Sequence, residues 1–592
     1  MKQLALAILL LYFSQDITAQ YYLRGEVRDE KNNILQNVRI LLCSKGTYPF
    51  TSGNSGSFGI PTSRAIDTIT LLLDGYETLR TAVETNKFQR LVMKMLPATA
   101  SLYKHRLASF TKNLINQDQH YNFSTNESYN NQVENEFIET STFSETGFAL
   151  NIDRASYSNI RRFLNMGYRV PPDAVRIEEM LNYFDFGNNT NTSTNSFTCT
   201  TEVTSTPWNR ENQLLFVHLQ APKLNLEQLP PTNLIFLIDV SGSMDKPNRL
   251  PLVKSGLKLL VQNLRDKDSV AIVIYGGDVG VLLQPTSGGD KNKINSAIEN
   301  MVASGSTPGE AAIRMTYKLA AKAFNKNGNN RVILATDGDF NVGQTTEKEL
   351  EDLIVQQRQS GIFLTCLGVG MGNYKDSKLE TLAKKGNGNF AYLDNLQEAE
   401  KVLVKEFTKT MYAVANDAFL SIQFNPTFVK EYRLIGFDNK SDALNDSSSE
   451  LEGGEVGTGH DLTAVFEIKP NEKVSNNVAD SIITIGKYAM MKLQYKLPGA
   501  SEYTTQTIKV PFNYGRIEAA QPDLRFTTAV IMFGELLKQS KFAQGYTFTD
   551  VWNLAAAAAD KTDYAQTEFL TLVEKARKIY SGDKKKKKGS EE

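Results

Sequence analysis

Three short segments of the sequence carry oxygen donors and contain no histidine or cysteine. Asp239, Ser241 and Ser243 alternate in the first segment, Thr307 lies in the second, and Asp337 lies in the third. Carboxylate and hydroxyl oxygens are the ligands of hard divalent cations, whereas zinc and copper sites use imidazole or thiolate. If these five side chains meet, they predict a hard-cation site, with Mg²⁺ favoured and Ca²⁺ or Mn²⁺ as alternatives.

Each segment also has an ordinary structural explanation. An Asp-Gly pair such as Asp337-Gly338 is typical of a turn, and a Ser-Gly-Ser stretch is typical of a loop or a helix cap. Asp245 and Asp339 lie beside the segments, where they either orient waters around a cation or are exposed loop acids. The metal hypothesis therefore depends on the three segments lying together in the folded chain.

The surrounding pattern predicts a parallel sheet that brings the segments to one edge. Residues 234–238 form a continuous apolar run, which indicates a strand buried on both faces, and this run ends directly at Asp239. Strands and helices then alternate as far as residue 410, with a hairpin predicted between residues 269–275 and 279–283. Such alternation is typical of a doubly wound, Rossmann-like α/β domain, which binds ligands at the carboxyl ends of its strands.

An Asp-x-Ser-x-Ser segment followed by a separate Thr and a separate Asp resembles the metal-ion-dependent adhesion site of the von Willebrand factor type A (vWA) fold. The resemblance implies that the hydroxyls of Ser241 and Ser243 bind the metal and that Thr307 joins directly or through water. It implies that Asp239 and Asp337 act largely through bound water. A cation with few direct carboxylate ligands keeps residual positive charge and an exchangeable water, which an acidic group of a partner can replace.

The sequence on both sides of this domain resembles a family of exported bacterial vWA proteins. The matching segments are DRASYSN at 153–159, PPDAVRIEE at 171–179, VANDA at 414–418 and KEYRLIGF at 430–437. Asn151 departs from that family, which usually has an acidic residue at this position. His460 also falls in a matching segment, but a lone His beside Gly459 is typical of a turn or a sheet edge rather than of a metal ligand.

Composition divides the rest of the chain. Short β-rich runs over residues 20–97 predict a β-sandwich that resembles the carboxypeptidase regulatory-like domain, and the polar residues 98–143 predict a linker. The predicted fold is multidomain, with a central α/β domain, β-rich flanks and a helical carboxyl-terminal region. The predicted boundaries are a signal peptide at 1–19, the β-sandwich at 20–97, the linker at 98–143, the amino-terminal flank at 144–230, the vWA domain at 231–410, the β-rich carboxyl-terminal flank at 411–514, the helical region at 515–580 and a charged tail at 581–592. Residues 198–230 and 411–514 are further predicted to form one β-rich body into which the α/β domain is inserted.

The amino terminus predicts the compartment. Lys2, the apolar run from Leu4 to Phe13 and the small residue Ala19 are typical of a secretory signal peptide, with a buried helix as the alternative. We therefore expect export to the periplasm, the cell envelope or the medium, with no transmembrane segment in the mature chain. The lysine run Lys584–Lys588 is either a solvated end or a contact with an anionic surface.

Charge and cysteine content exclude several functional classes. The formal net charge of -1 provides no broad electrostatic basis for nucleic-acid binding. The three cysteines are far apart, so they specify neither a disulfide framework nor a zinc cluster.

These features together predict a binding protein rather than an enzyme. The expected activity is adhesion or scaffolding, in which a divalent cation recognises an Asp or Glu side chain of a protein partner. A metal-dependent hydrolase is one alternative, because a cation with an open position can polarise water. The other alternative is a structural scaffold whose metal site fixes the loops and binds no partner.

Overall fold

The computed structural model of the chain divides into two compact units, residues 1–119 and 120–592. It describes residues 21–35, 38–46, 49–53, 56–62, 64–73, 76–95, 127–130, 134–150, 153–186, 196–225, 229–276, 278–304, 309–338, 347–371, 374–437, 453–471, 487–511 and 513–588. The predicted signal peptide at 1–19 lies outside the described residues.

Strands make up most of the described part of the first unit. They are β1 (Tyr21–Asp29), β2 (Arg39–Leu42), β3 (Pro49–Thr51), β4 (Ser57–Thr62), β5 (Ile66–Leu72), β6 (Leu79–Glu84) and β7 (Phe88–Met93). One sheet has the order β4-β1-β7 and the other has the order β3-β2-β5-β6. Alternate side chains of both sheets, among them Val27, Ile40 and Ile69, form one buried cluster. The assignment to the carboxypeptidase regulatory-like domain stays a prediction.

The second unit begins with short strands and two helices. These elements are β8 (Ile138–Glu139), β9 (Glu145–Ala149), α1 (Ala155–Asn165), α2 (Ile177–Leu181), β10 (Thr198–Ser205) and β11 (Gln213–Gln220). Both helices coincide with amphipathic stretches of the sequence and lie on either side of Pro171 and Pro172. Tyr157 of α1 and Met180 of α2 are buried in one cluster.

A six-stranded sheet forms the centre of the second unit. Its strands are β12 (Thr232–Asp239), β13 (Ser269–Gly276), β14 (Asp278–Ser287), β15 (Asn329–Thr336), β16 (Ile362–Val369) and β17 (Phe390–Leu393). They lie in the order β14-β13-β12-β15-β16-β17, and neighbours are parallel except in the predicted β13–β14 hairpin. Every residue of β12 is buried, as the apolar run predicted.

Helices cover both faces of this sheet. They are α3 (Leu250–Gln262), α4 (Lys291–Glu299), α5 (Gly309–Lys322), α6 (Glu347–Gln359), α7 (Asp376–Lys385), α8 (Leu396–Glu400) and α9 (Phe407–Met411). Alternate residues of β12 enter two separate clusters, with Phe236 packing near Leu257 and Leu237 near Ala312. The predicted α/β domain is confirmed. The sequence pattern does not predict α4, and it predicts one helix near residues 399–408, where the structure has the π-helix Lys401–Lys405 between α8 and α9.

The remaining strands and helices complete the unit. They are β18 (Ala413–Phe424), β19 (Val429–Ile435), β20 (Gly454–Gly457), β21 (Asp461–Pro470), β22 (Lys487–Lys496), β23 (Tyr503–Pro511), β24 (Tyr514–Gly515), α10 (Pro522–Lys538), α11 (Phe548–Ala556) and α12 (Tyr564–Lys588). One sheet has the order β24-β10-β11-β21-β19-β8, and β11 pairs with β21 along its whole length. The chain therefore leaves this sheet after β11, builds the α/β domain and enters the same sheet again with β19 and β21.

The predicted linker at 98–143 is wrong for its carboxyl-terminal part. The side chain of Glu127 is buried and forms an ion pair with Arg162 of α1 at 2.8 Å. The N–H of Ser128 donates to the carbonyl oxygen of Tyr374 at 3.1 Å, and β8 pairs with β19. The polar composition led to the prediction of a linker. These residues are instead held by hydrogen bonds and an ion pair to distant elements, and they need no apolar core of their own.

Candidate metal centre

The first predicted segment forms a tight loop at the carboxyl end of β12. The N–H of Ser241 donates to Asp239 Oδ1 at 2.8 Å, and the N–H of Val240 donates to the carbonyl oxygen of Tyr275 at 2.8 Å. A 3₁₀-helix follows at Gly242–Met244. Main-chain hydrogen bonds to a strand-end carboxylate and to the adjacent strand therefore hold the loop.

Ser241 and Ser243 direct their hydroxyls to the same place. Their Oγ atoms are 3.0 Å apart. Ser241 is buried, whereas Ser243 is exposed. The hydroxyl pair thus lies at the boundary between the interior and the solvent, where an incoming group can reach it.

Asp239 is fully buried next to this pair. Its Oδ1 accepts the hydrogen bond from Ser241, and its Oδ2 accepts one from the hydroxyl of Thr336 at 2.9 Å. Burial raises the pKa of Asp239 to about 6, although the hydrogen bonds from Ser241 and Thr336 act in the opposite direction. Because burial disfavours its ionised form, this carboxylate gains from a cation in its vicinity.

Asp337 follows β15 at the same edge of the sheet. It is 4% exposed and pairs with the guanidinium of Arg249. The same Nη1 atom of Arg249 donates to the carbonyl oxygen of Ser243 at 2.7 Å, so the third segment lies against the first. Gly338 has a φ of +88°, and a Cβ there would lie 2.5 Å from the backbone nitrogen of Lys375, so this turn requires glycine.

Sequence reasoning missed Arg249. The residue directly precedes α3, and the only local signal is one basic residue before an apolar helix, where Arg is ordinarily exposed. In the structure Arg249 is 5% exposed, and its Nη2 donates to the carbonyl oxygen of Met371 at 2.7 Å. Its burial results from contacts with distant loops, which no local pattern reveals.

The remaining candidate residues are Asn151, Asp245, Thr307, Asp339 and His460. Three of them lie outside the described residues: Asn151, Thr307 and Asp339. Asp245 is exposed. His460 is buried in the turn before β21, where its Nδ1 accepts a hydrogen bond from the N–H of Gly457 at 3.3 Å. Burial lowers the pKa of His460 well below its usual value, so the ring is a neutral part of the turn.

The donor chemistry at this edge fits a hard cation. In the part of the chain that the structure describes, no group of three or more His, Cys, Asp and Glu side chains is arranged to hold a metal. The described donors here are instead two serine hydroxyls and two carboxylates. Such oxygen donors meet the requirements of Mg²⁺ and do not suit a thiolate or imidazole site.

Gly276 at the end of β13 sets how closely the first loop approaches the sheet. A Cβ there would lie 2.5 Å from the carbonyl group of Val240 and 2.7 Å from the nitrogen of Ser241. We expect Gly276→Ala to displace the loop, to lower the free energy of unfolding by about 1–3 kcal/mol and to reduce the Mg²⁺-induced rise in Tm. Scanning fluorimetry with and without Mg²⁺ measures both changes. Gly280→Ala is the control, because a Cβ there meets nothing within 4 Å, and equal behaviour of the two variants would contradict the prediction.

Comparison with known proteins places the chain in a family. Family models described as von Willebrand factor, von Willebrand factor type A domain, and uncharacterized protein YfbK, C-terminal, match residues 123–216, 233–409 and 409–579 respectively. The uncharacterized protein YfbK of Escherichia coli (strain K12) is 39% identical over 449 residues, which are 72% of this chain and 77% of that protein. The chain belongs to the YfbK family.

The match of the von Willebrand factor type A domain model to residues 233–409 confirms the predicted vWA domain, which indicates a function of the protein–protein interaction or adhesion type. Inter-alpha-trypsin inhibitor heavy chain H2 of Mus musculus is 28% identical over 218 residues, 36% of this chain but only 22% of that protein. The structure of von Willebrand factor type A from Catenulispora acidiphila covers 63% of this chain and 89% of its own, with 15% identity and a TM-score of 0.37. Among the described residues of this YfbK relative, no helix combines the length and apolarity needed to cross a membrane.

Proposed function

We propose that this protein is an exported interaction protein that binds an Asp or Glu side chain of a protein partner through a divalent cation in its vWA domain. The observation that carries the proposal is the meeting of Ser241 and Ser243 hydroxyls, 3.0 Å apart, with the buried Asp239 and Asp337 at one edge of the sheet. These side chains come from segments nearly 100 residues apart, and no purely local turn requires them to converge.

The cation would be held mainly by neutral oxygens. Ser241, Ser243 and Thr307 would supply hydroxyls, and Asp239 and Asp337 would act largely through bound water, with Thr307 lying outside the described residues. Neutral hydroxyl ligands would not themselves neutralise the charge of the ion, and an exchangeable water would complete its coordination. A carboxylate of the partner can replace that water, and it gains from the residual positive charge at a solvent-facing position.

The spacing of the hydroxyl pair is compatible with Mg²⁺, the smaller of the hard cations Mg²⁺ and Ca²⁺. Adjacent ligands of an octahedral Mg²⁺ with bonds of 2.0–2.1 Å are about 3.0 Å apart. The Ser241 and Ser243 Oγ atoms are 3.0 Å apart, a distance at which one hydroxyl also donates to the other without metal. The loop thus needs little rearrangement to accept the smaller ion.

Export is part of the proposal, because it determines which partners are accessible. The amino-terminal run from Leu4 to Phe13 is typical of a signal peptide. The partner would accordingly be a protein of the periplasm, the cell envelope or the medium that presents an exposed acidic side chain.

Selection from a random peptide-display library tests the proposal. With the protein immobilised in Mg²⁺, we expect the retained peptides to share an Asp or Glu whose replacement by Asn or Gln reduces binding at least about tenfold. Chelation should release the peptides, and Asp239→Ala should abolish capture while circular dichroism remains unchanged.

The control variant is Asp266→Ala, which removes an exposed carboxylate from the loop before β13, at the amino-terminal edge of the sheet. It should bind the peptides as the wild type does. Capture that survives chelation, or that is equal for acidic peptides and their amide counterparts, would show that recognition does not use a metal-bound carboxylate.

A further inference from the structure

Arg249 is built into the candidate metal centre. Its guanidinium joins Asp337, the carbonyl oxygen of Ser243 and the carbonyl oxygen of Met371, so it ties together three loops at the carboxyl edge of the sheet. Its aliphatic stem passes over Gly370, where a Cβ would lie 2.4 Å from Arg249 Nε. A long basic side chain that is 5% exposed and packed against glycine is held in one position.

The two carboxylates of the centre are compensated differently. Asp337 faces a full positive charge, because it forms an ion pair with Arg249. Asp239 accepts hydrogen bonds from the N–H of Ser241 and the hydroxyl of Thr336, which are neutral donors. The guanidinium of Arg249 therefore compensates the charge of Asp337, whereas Asp239 is compensated by neutral hydrogen-bond donors.

We propose that Arg249 is a resident counter-cation of this centre: it weakens the binding of the divalent cation and strengthens the hold of the loaded centre on a carboxylate. The inference rests on the proposed function. Counting Asp239, Asp337 and Arg249 by their formal charges, the centre has one net negative charge without metal and would have one net positive charge with Mg²⁺. Without Arg249 the loaded centre would be neutral, so it would attract an acidic partner less.

Removing the charge of Arg249 should therefore change the affinity for the divalent cation and the affinity for a carboxylate in opposite directions. The guanidinium repels an incoming divalent cation and also compensates part of the charge of Asp337, so its loss leaves the two carboxylates to attract the cation more strongly. The same loss removes attraction for an anion at the loaded ion. Damage to the loop would instead weaken the binding of both ligands, since both depend on the same geometry.

Arg249→Met tests this inference with Mn²⁺ and acetate as probes. Electron paramagnetic resonance of free Mn²⁺ measures metal affinity, and water-proton relaxation of the Mn²⁺-loaded protein measures displacement of bound water by acetate. We expect Arg249→Met to bind Mn²⁺ at least about tenfold more tightly and to require at least about tenfold more acetate for half-displacement. Arg249→Lys keeps the charge, so it should lie close to the wild type in both titrations.

The control is Lys258→Met, which removes one positive charge from the outside of α3, where Lys258 pairs with Glu299. It should change neither titration. Mn²⁺ binding by Arg249→Met that is unchanged or weaker, or an unchanged acetate titration, would overturn the inference. If acetate displaces no water from the wild type, the proposed carboxylate recognition fails, while tighter Mn²⁺ binding by Arg249→Met would still show the counter-cation effect. Absence of Mn²⁺ binding in both proteins would refute both proposals.

Discussion

Replacing Arg161 with Met is expected to lower the free energy of unfolding of the second unit by about 3–5 kcal/mol. The guanidinium of Arg161 on α1 is almost fully buried and binds three carboxylates, two at or beside α8 and one on α12. Its Nε is 2.7 Å from Asp394 Oδ2, its Nη2 is 2.7 Å from Glu398 Oε2, and its Nη1 is 3.0 Å from Glu568 Oε2. The substitution leaves these acids buried without their common cation, so they repel one another.

Urea unfolding followed by tryptophan fluorescence measures this loss. Both tryptophans, Trp208 and Trp552, belong to the second unit, so their emission reports on that unit. Arg577→Met on α12 is the matched control, because Arg577 forms an exposed pair with Glu574 and its removal should change stability by less than about 1 kcal/mol. Equal stability of the two variants would show that the buried ion pairs of Arg161 stabilise the fold no more than an exposed pair does.

The stability deficit of Arg161→Met should shrink in acid. Burial raises the pKa of Asp394 to about 6 in the wild type, although Arg161 acts to lower it. Without the guanidinium, the folded-state pKa rises further above the unfolded value. Such a carboxyl takes up a proton on folding, so its unfavourable contribution grows as the pH rises from the unfolded pKa to the folded pKa. We therefore expect a smaller deficit at pH 5 than at pH 8, and a deficit that is independent of pH would contradict this explanation.

Removing both hydroxyls of the candidate centre, in the double variant Ser241→Ala, Ser243→Ala, is expected to weaken Mg²⁺ binding by at least about a hundredfold. The variant loses two of the three predicted hydroxyl ligands. The metal-free fold should survive with a change in unfolding free energy of less than about 1.5 kcal/mol. Main-chain bonds hold the loop, since the N–H of Ser241 donates to Asp239 and the N–H of Met244 donates to the carbonyl oxygen of Ser241.

Isothermal titration calorimetry with Mg²⁺ measures the affinity, and circular dichroism checks the fold. Ser255→Ala is the matched control, because the exposed hydroxyl of Ser255 on α3 bonds only locally, to the carbonyl oxygen of Pro251 at 2.9 Å. It should bind Mg²⁺ as the wild type does. Equal Mg²⁺ affinity in the double variant and the control would exclude the two serines as metal ligands.

Much of the α/β domain was predictable, because its signals are local. The apolar run at 234–238 indicated a strand buried on both faces, and β12 is buried throughout. The parallel alternation then placed Asp239 and Asp337 at the same edge, where the structure has them at the strand ends. The helix at Lys291–Glu299 was missed because only three of its nine residues are buried, which leaves a weak apolar periodicity.

The packing of residues 127–130 and 134–143 against the rest of the second unit was not predictable. Their polar composition is typical of a linker, yet Glu127 is held by Arg162 and Ser128 by the backbone of Tyr374. Single hydrogen bonds and ion pairs leave no periodic trace in a sequence, whereas the burial of an apolar face does.

The donor chemistry of the candidate site follows from residue types and their spacing along the chain, because strand ends meet at one edge of a parallel sheet. The charges that surround the site follow instead from contacts between distant parts of the folded chain. Arg249 reaches an acid 88 positions away, and Arg161 reaches one 407 positions away. A buried arginine needs a carboxylate beside it, and in both cases the fold brings that carboxylate from a distant part of the chain. No local sequence pattern therefore reveals which arginines are buried.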